Sequence, residues 1–289
     1  MYMHSYQNVL TELDLVCQRN NLNKENVEAI PEIAQVEKAL ELIRSIIFPE
    51  FSNKGHLDMS AELAQFVEIM EVEICRSLNL KPEMKNLEKV ERRKDAKKIL
   101  NDYLSQLPEI LELLLGDLEA IYEGDPAAES RMEIAISYLS YQAIVIYRLA
   151  HPFYEAGVPI IPKLMSEYAH KITGIDIHPG AQIGKNFFID HGTGIVIGET
   201  TVIGDNVKIY QGVTLGALSL KEGRELREVK RHPTIGNKVV IYANATILGG
   251  DTVIGDGVII GGGTFITKSV EENTQVYLDA KKLPIKSRK

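Results

Sequence analysis

The segment IVIGETTVIGDNVKIYQGVTLG, residues 195–216, carries an aliphatic residue at every sixth position: Ile197, Ile203, Ile209 and Leu215. The same period continues on both sides, at Ile177, Ile183, Ile189, Ile235, Ile241, Ile247, Ile254, Ile260 and Ile266. Three such hexads close one triangular coil, and each aliphatic side chain points inward to stack on its equivalent in the next coil. The repeat therefore predicts a left-handed parallel β-helix.

Glycine is concentrated in the half of the chain that carries the repeat. Nineteen of the 22 glycines lie at or after Gly157, and seven of them directly follow an aliphatic residue of the repeat. Glycine suits positions where the backbone turns or approaches another strand closely. This shift in composition predicts an α+β protein in two parts. An N-terminal α-helical domain covers residues 1–156, and a C-terminal left-handed β-helix covers residues 157–289.

The first half shows helical spacing. In VEKALELIRSIIF, residues 36–48, the apolar residues recur three and four positions apart, as on one face of a helix. Further helices are predicted over residues 61–78, over residues 87–122 with a break or kink at Pro108, and over residues 127–154. Asp125 and Pro126 are expected to be the N-cap and the first residue of the last of these. This half is expected to pack as a bundle and to support oligomerisation.

Composition and charge are those of an ordinary globular protein. The chain is 45% hydrophobic and 25% charged, which excludes a disordered or collagen-like protein. Its net charge of −8 argues against nucleic acid or an anionic membrane as a partner for the whole surface. Cys17 and Cys75 are too few for a disulfide framework and are expected to be reduced. With no signal-peptide pattern at the N-terminus, the expected location is the cytoplasm.

The six-residue rhythm breaks at three places. It slips by two residues near Ile195 and by one near Leu248, and it stops altogether between Gly216 and Ile235. The interruption predicts a loop insertion at about residues 217–231, which carries Lys221, Arg224, Arg227, Lys230 and Arg231. Because loops expelled from a solenoid often form its binding face, we expect this basic loop to take part in function.

One break carries a pair of residues with chemical potential. His191 lies in IDHGTG, and Asp176 lies fifteen residues earlier, close to one coil of about eighteen. A carboxylate on the adjacent coil could fix the tautomer of an imidazole that acts as a general base. The same pair could equally be a buried histidine satisfied by a carboxylate, and the spacing does not separate the two readings.

The chain resembles the serine O-acetyltransferases, the first enzymes of cysteine biosynthesis. The resemblance is carried, in order, by GDPAA at 124–128, YRLAH at 147–151, DIHPGAQIG at 176–184, DHGTGIVIGET at 190–200, VTLG at 213–216 and RHPTIGN at 231–237. It implies acetyl-CoA and L-serine as substrates and a direct ternary complex. It also implies a homotrimer with each site between neighbouring solenoids, and trimers in that family pair into hexamers through their helical domains.

The resemblance also implies roles for the matching residues. His191 would be the general base, and Asp176 its orienting partner. The substrate ammonium would lie against Asp125 and Asp190, its carboxylate against Arg231, and His232 would position the serine or the tetrahedral intermediate. The groove for acetyl-CoA would be lined by Gly216, Ala217, Ala243 and Gly262.

The chain departs from the family pattern in three places. Ala217 replaces the second glycine of the usual TLGG, and the loop before RHP is longer, with basic residues that could meet the 3′-phosphate of CoA. The sequence given ends in Ser287, Arg288 and Lys289 rather than in a terminal isoleucine. A complex with O-acetylserine sulfhydrylase is therefore not implied.

Other functions remain open to this fold. A different hexapeptide-repeat acetyltransferase could act on a sugar or another amino acid, but a sugar does not need the paired charges of Asp125 and Arg231. A γ-type carbonic anhydrase would need His178, His191 and His232 to converge on zinc, whereas no metal is expected in the acetyltransferase. A non-catalytic scaffold would have no need for DHGTG at a hexad position.

Overall fold

The structure is a computed structural model, and it describes residues 2–20, 30–48, 59–84, 87–218 and 229–278. Lys221, Arg224, Arg227 and the last residues of the chain, which entered the predictions above, lie outside this part. The basic loop is therefore described only at its two ends.

Within the described ranges, seven α-helices and one short 3₁₀ helix form the first part of the chain. No helix of the described residues is long and apolar enough to cross a membrane. The bounds of the helices are α1 Tyr2–Arg19, α2 Ile33–Ile47, α3 Met59–Leu78, the 3₁₀ helix Pro82–Met84, α4 Lys89–Gly124, α5 Arg131–Ser137, α6 Leu139–Glu155 and α7 Ile161–Thr173.

The helix α4 continues through Pro108, so the proline does not break it, and a kink at this position stays a prediction. The predicted cap at Asp125 was wrong. Asp125 is the C-cap of α4 and not the N-cap of the next helix. Its carboxylate instead accepts the backbone N–H of Ala127 at 2.9 Å, which closes a turn.

The following helix begins only at Ser130, which is the stronger cap. The Ser130 hydroxyl accepts the backbone N–H of Glu133 at 3.1 Å. The segment predicted as one helix over residues 127–154 is therefore two, α5 and α6, which meet at Tyr138.

The helical part extends beyond the boundary expected at residue 156. Gly157, the first glycine of the glycine-rich half, has a φ of 66° and forms the turn between α6 and α7. The change from helix to strand lies between Thr173 and Asp176. Composition marked Gly157 as the start of the solenoid because a left-handed turn between helices and a β-helix corner favour the same residue.

The second part is a parallel β-helix, as the six-residue repeat predicts. Its strands form three sheets in the orders β1-β4-β7-β10-β13 (sheet A), β11-β8-β5-β2 (sheet B) and β14-β12-β9-β6-β3 (sheet C). The strands are β1 Asp176–Ile177, β2 Gln182–Ile183, β3 Phe188–Asp190, β4 Val196–Ile197, β5 Val202–Ile203, β6 Lys208–Tyr210, β7 Thr214–Gly216, β8 Thr234–Ile235, β9 Val240–Ile241, β10 Thr246–Leu248, β11 Val253–Ile254, β12 Ile259–Ile260, β13 Phe265–Ile266 and β14 Gln275–Val276.

Strand register shows that the repeat residues stack as predicted. Ile197 pairs with Leu215, which pairs with Ile247, and all three side chains are almost fully buried in the coil interior. Ile177 pairs with Ile197, twenty residues on, so the first coil holds two residues more than the next. These two extra residues fall at the corner that carries His191. The breaks in the rhythm therefore lie outside the strands.

Candidate active site

The predicted site residues gather at two corners of the β-helix, one on each side of sheet A. The chain enters sheet A at what we call the entry corner, residues 190–194, 211–213, 243–245 and 262–264. It leaves sheet A toward sheet B at what we call the exit corner, residues 178–181, 198–201, 216–217 and 230–233. Both follow from the order of the strands along the chain.

At the entry corner, the His191 side chain is exposed to solvent. Its φ of 58° is in the left-handed region, and 75% of its side chain is exposed. The nearest carboxylate is that of the preceding residue, with 3.7 Å between His191 Nε2 and Asp190 Oδ1. Lys208 Nζ lies 3.9 Å from the other oxygen of Asp190. An exposed imidazole beside a carboxylate is suited to receive a proton from a bound substrate.

Asp125 reaches the same corner from the helical half. Lys208 donates to the carbonyl of Gly124 at 3.0 Å and so ties the end of α4 to β6. The Tyr138 hydroxyl donates to Asp125 Oδ2 at 2.9 Å. Burial, the hydrogen bond to Asp125 and the negative charges of Asp125 and Asp190 raise the pKa of Tyr138 to about 12. Asp125 and Asp190, the two carboxylates predicted to bind the substrate ammonium, thus both lie close enough to Tyr138 to raise the pKa of its hydroxyl.

Asp176 does not contact His191 in the isolated chain. It begins β1 and pairs in register with Val196, five residues beyond His191. Within the described ranges no hydrogen bond or ion pair joins the two side chains. The carboxylate beside His191 is Asp190, and the predicted role of Asp176 as orienting partner stays a prediction.

At the exit corner, Arg231 forms a close ion pair with Glu199. The Tyr154 hydroxyl donates to the other oxygen of Glu199 at 2.8 Å. A cavity of about 430 Å³ opens beside this pair, lined by residues of α6 and of sheet B. Although burial opposes its charged form, Glu199 has a lowered pKa because Arg231 and Tyr154 hydrogen-bond to it. An anionic Glu199 holds the guanidinium of Arg231 at the rim of this cavity.

His232 is 7% exposed and is fixed by Thr200. Its Nδ1 lies 3.0 Å from the backbone N and 2.9 Å from the hydroxyl oxygen of Thr200. Burial, reinforced by the positive charge of Arg231, lowers the pKa of His232 to about 4, so the imidazole is neutral at pH 7. Burial also lowers the pKa of His178, the second histidine of this corner.

The ammonium group of Lys230 binds the protein backbone, although the residue is exposed overall. Its Nζ donates to the carbonyls of Thr200 at 2.6 Å, of His232 at 2.5 Å and of Pro233 at 3.2 Å. Since Arg231 pairs with Glu199, these two members of the basic loop bind the protein itself. The other basic residues of the loop, Lys221, Arg224 and Arg227, lie outside the described residues.

The residues predicted to line the acetyl-CoA groove divide between the same two corners. Gly216 ends β7 and Ala217 follows it at the exit corner. Ala243 and Gly262 lie on adjacent coils of the entry corner, where a Cβ added to Gly262 would lie 3.0 Å from the Ala243 carbonyl. Each corner therefore supplies half of the predicted cofactor groove.

The two halves of the predicted site lie on opposite sides of sheet A. His191 precedes β4, and Glu199 and Thr200 follow it. Asp190 and Arg231 are therefore placed at different corners. The described residues also contain no group of three His, Cys, Asp or Glu side chains that could hold a metal ion.

Sequence reasoning missed the residues that support the predicted ones. Glu199, Thr200, Tyr154, Tyr138 and Lys208 had no assigned part. The only available signal was that GET, residues 198–200, puts two polar residues directly after a repeat aliphatic residue. That signal does not reveal that Thr200 contacts His232, because 32 residues and the loop insertion separate them.

Known proteins resemble this chain over about half of its length in sequence and over most of it in fold. It is 52% identical over 157 residues to a plasmid serine acetyltransferase of Synechococcus elongatus, which covers 53% of this chain and 49% of that protein. It is 49% identical over 132 residues to the serine acetyltransferase of Helicobacter pylori, covering 46% of this chain and 74% of that protein. The chain spans about half the length of the Synechococcus and Synechocystis relatives it matches. No family model matches it.

Solved structures extend the likeness into the helical half. Serine acetyltransferase isoform 3 of Entamoeba histolytica, solved in complex with cysteine, superposes with a TM-score of 0.74 at 38% identity, over 87% of this chain and 84% of that one. The Neisseria gonorrhoeae serine acetyltransferase, solved in complex with serine, gives a TM-score of 0.56 at 28% identity, over 83% of this chain and 95% of that one. The chain belongs to the serine acetyltransferase family.

Proposed function

We propose that this protein transfers the acetyl group of acetyl-CoA to the hydroxyl of L-serine and forms O-acetyl-L-serine. The observation that carries the proposal is the division of charge between the two corners. Asp125 and Asp190 lie at the entry corner, and Arg231 lies at the exit corner. An amino-acid zwitterion needs an anionic and a cationic partner at the same time, and arginine matches a carboxylate with two parallel hydrogen bonds.

The site is completed when a second copy brings its exit corner to the entry corner of the first. Three copies related by a threefold axis would form three equivalent sites, since each copy contributes one corner of each kind. The split of the cofactor residues supports the same arrangement: Ala243 and Gly262 would face Gly216 and Ala217 of a neighbouring copy across one groove. The position of the two corners on opposite sides of sheet A and the family resemblance support this proposed homotrimer.

In the completed site, His191 accepts the proton of the serine hydroxyl as the oxygen attacks the thioester carbonyl. A serine hydroxyl is a weak nucleophile until a base takes its proton. The tetrahedral intermediate then expels the thiolate of CoA, which receives that proton from His191 and leaves as the free thiol. The charge on the intermediate's oxygen needs a hydrogen-bond donor. The His232 imidazole and the backbone N–H groups that follow Leu215 are the candidates.

Two carboxylates compete for the role of orienting His191. Asp190 lies 3.7 Å from Nε2 in the isolated chain, whereas Asp176 is the family counterpart on the adjacent coil. Steady-state kinetics can distinguish the two carboxylates, since Asp190 is also predicted to bind the substrate ammonium. Loss of Asp190 should raise the KM for serine, and loss of Asp176 should lower kcat alone.

The test is release of free thiol from acetyl-CoA with L-serine, compared with a panel of other amino acids and sugars. The proposal expects release that depends on L-serine and is abolished in His191→Ala. Release that is independent of serine, or faster with a sugar acceptor, contradicts it.

A further inference from the structure

The hydrogen bonds of Thr200 fix where the proton of His232 lies. The Thr200 hydroxyl oxygen accepts the backbone N–H of Arg231 at 2.9 Å and that of His232 at 3.0 Å. A hydroxyl accepts at most two hydrogen bonds and donates one. With both lone pairs used, its own proton is left for its third contact, His232 Nδ1 at 2.9 Å.

The backbone N–H of Thr200 points to the same ring nitrogen, 3.0 Å away. Two donors directed at Nδ1 require that this nitrogen carry a lone pair and no proton. A neutral imidazole then carries its proton on Nε2. Within the described part of the chain Nε2 has no hydrogen-bond partner, and it is not sealed from solvent.

The surroundings of the ring fix its position. Gly198 lies against the edge that contains Nε2 and Cδ2, and a Cβ at this position would collide with both atoms. Lys230 holds the backbone of Thr200 and of His232 through their carbonyls. The ring is thus held at Nδ1 by Thr200, and the absence of a side chain at Gly198 leaves its Nε2 edge unobstructed by a Cβ.

We propose that His232 is a neutral Nε2–H hydrogen-bond donor to an oxygen of the reacting substrate, with Thr200 as the positioning residue that sets this tautomer. The inference rests on the proposed function for the identity of the substrate. It also separates the two histidines of the completed site. His232 donates throughout the reaction, and His191 alone accepts the serine proton.

The charged groups around the ring are consistent with a neutral imidazole. Lys230 and Arg231 directly precede His232 in the sequence, and His178 lies at the same corner. All three oppose a further positive charge on the His232 ring. Glu199 favours one, but its carboxylate is paired with Arg231 and Tyr154. Burial and three positive or ionisable neighbours outweigh one paired carboxylate, in line with the lowered pKa of His232.

The first test reads the tautomer without reference to activity. In protein labelled with ¹⁵N-histidine, long-range proton–nitrogen correlations assign the His232 signals by their loss in His232→Gln. The expected result is a protonated Nε2 and a bare Nδ1 that persist from about pH 6 to 9. A proton on Nδ1, or titration to imidazolium within that range, overturns the inference.

The second test uses three conservative variants. Thr200→Val removes the hydroxyl at constant shape and should lower kcat about tenfold while the ring signals become a mixture of tautomers. Thr200→Ser restores the hydroxyl and should recover both properties. Thr274→Val is the matched control, because its hydroxyl donates to the carbonyl of Glu272 at 3.3 Å on the last coil of the solenoid, and its loss should change neither.

A Thr200→Val protein that retains both wild-type kcat and the wild-type tautomer contradicts the positioning role. If the Nε2–H tautomer is found but no variant acetylates serine, the proposed function fails while the assigned tautomer stands. If serine is acetylated by a protein with the Nδ1–H tautomer, only this inference fails.

Discussion

The guanidinium of Arg148 and the carboxylate of Asp117 form a buried bidentate ion pair where the helical half meets the β-helix. Their hydrogen bonds measure 3.0 and 3.1 Å. Arg148 also donates to the carbonyls of Ile183 and Gly184, both at 2.6 Å. Asp117 also accepts the backbone N–H of Phe187 at 2.8 Å. The pair thus joins α4 and α6 to the first coil. Asp117 lies on α4, the helix whose C-cap is Asp125.

Arg148→Met should lower the free energy of unfolding by about 3 to 5 kcal/mol, because it leaves the buried charge of Asp117 unpaired. Denaturant unfolding at a fixed protein concentration measures this loss. Arg131→Met is the matched control. Arg131 pairs with Glu119 in an exposed bidentate contact, whose loss should have a much smaller effect because solvent screens it. Equal effects of the two substitutions would contradict the structural role of the buried pair.

Gly198→Ala should inactivate the enzyme without unfolding it. The added methyl group would occupy the space of the His232 ring and displace it from Thr200. We expect kcat to fall by roughly 100-fold or more, as for loss of a preorganised donor. Gly116→Ala serves as control, since its Cβ would meet only the side-chain oxygen of Asn186, far from both corners. Wild-type turnover in Gly198→Ala would show that the ring position has no catalytic role.

The protein should lose stability as the pH falls from about 6.5 to about 4, partly because of His232. A histidine in the unfolded chain titrates near pH 6.5, whereas the pKa of His232 in the folded protein is lowered to about 4. Between these values the unfolded state binds more protons, so acid favours unfolding. At pH 5 the effect should reach about 1 to 2 kcal/mol relative to pH 7.

Denaturant unfolding of the wild type and of His232→Asn at pH 7 and pH 5 measures the contribution of His232 to the pH dependence of stability. The stability of His232→Asn should fall less between pH 7 and pH 5 than that of the wild type. The lowered pKa of His178 acts in the same direction and remains in the variant. An equal pH dependence of the two proteins would show that His232 titrates normally.

Asp125→Asn should raise the KM for L-serine by about 10- to 100-fold, because a charge-assisted hydrogen bond to the ammonium group contributes about 1.5 to 3 kcal/mol. The KM for acetyl-CoA should stay the same. Glu129→Gln, an exposed acidic residue four positions later, controls for the change in net charge. A rise in the KM for acetyl-CoA with that for serine unchanged would place Asp125 outside the amino-acid site.

The β-helix could be predicted from the sequence because its core obeys one short rule. Ile197, Leu215 and Ile247 stack because each hexad presents its aliphatic residue to the interior. This requirement appears in the linear sequence as a six-residue period. Breaks in the rule also located both corners, since residues released from the strands need not face the core. His191 stood out for this reason.

The supporting residues could not be predicted because their partners are distant in sequence. Thr200 meets His232 across an insertion of variable length, and Lys208 meets Gly124 across 84 residues. The cap at Asp125 was assigned wrongly because Asp-Pro fits both a helix start and a turn, and the better cap, Ser130, lies five residues later. A periodic pattern does not contain such contacts.

The most direct test of a serine acetyltransferase site built from two copies is complementation between inactive variants. His191→Ala and His232→Ala are coexpressed with different tags, and the mixed oligomers are isolated. If opposite corners of neighbouring copies form each site, every mixed trimer holds one intact site in three and recovers about a third of the wild-type serine-dependent thiol release. Coexpression of His191→Ala with Asp190→Ala, both at the entry corner, should restore no activity beyond that of Asp190→Ala alone. Activity of the first mixture no higher than that of its parents would contradict the shared site.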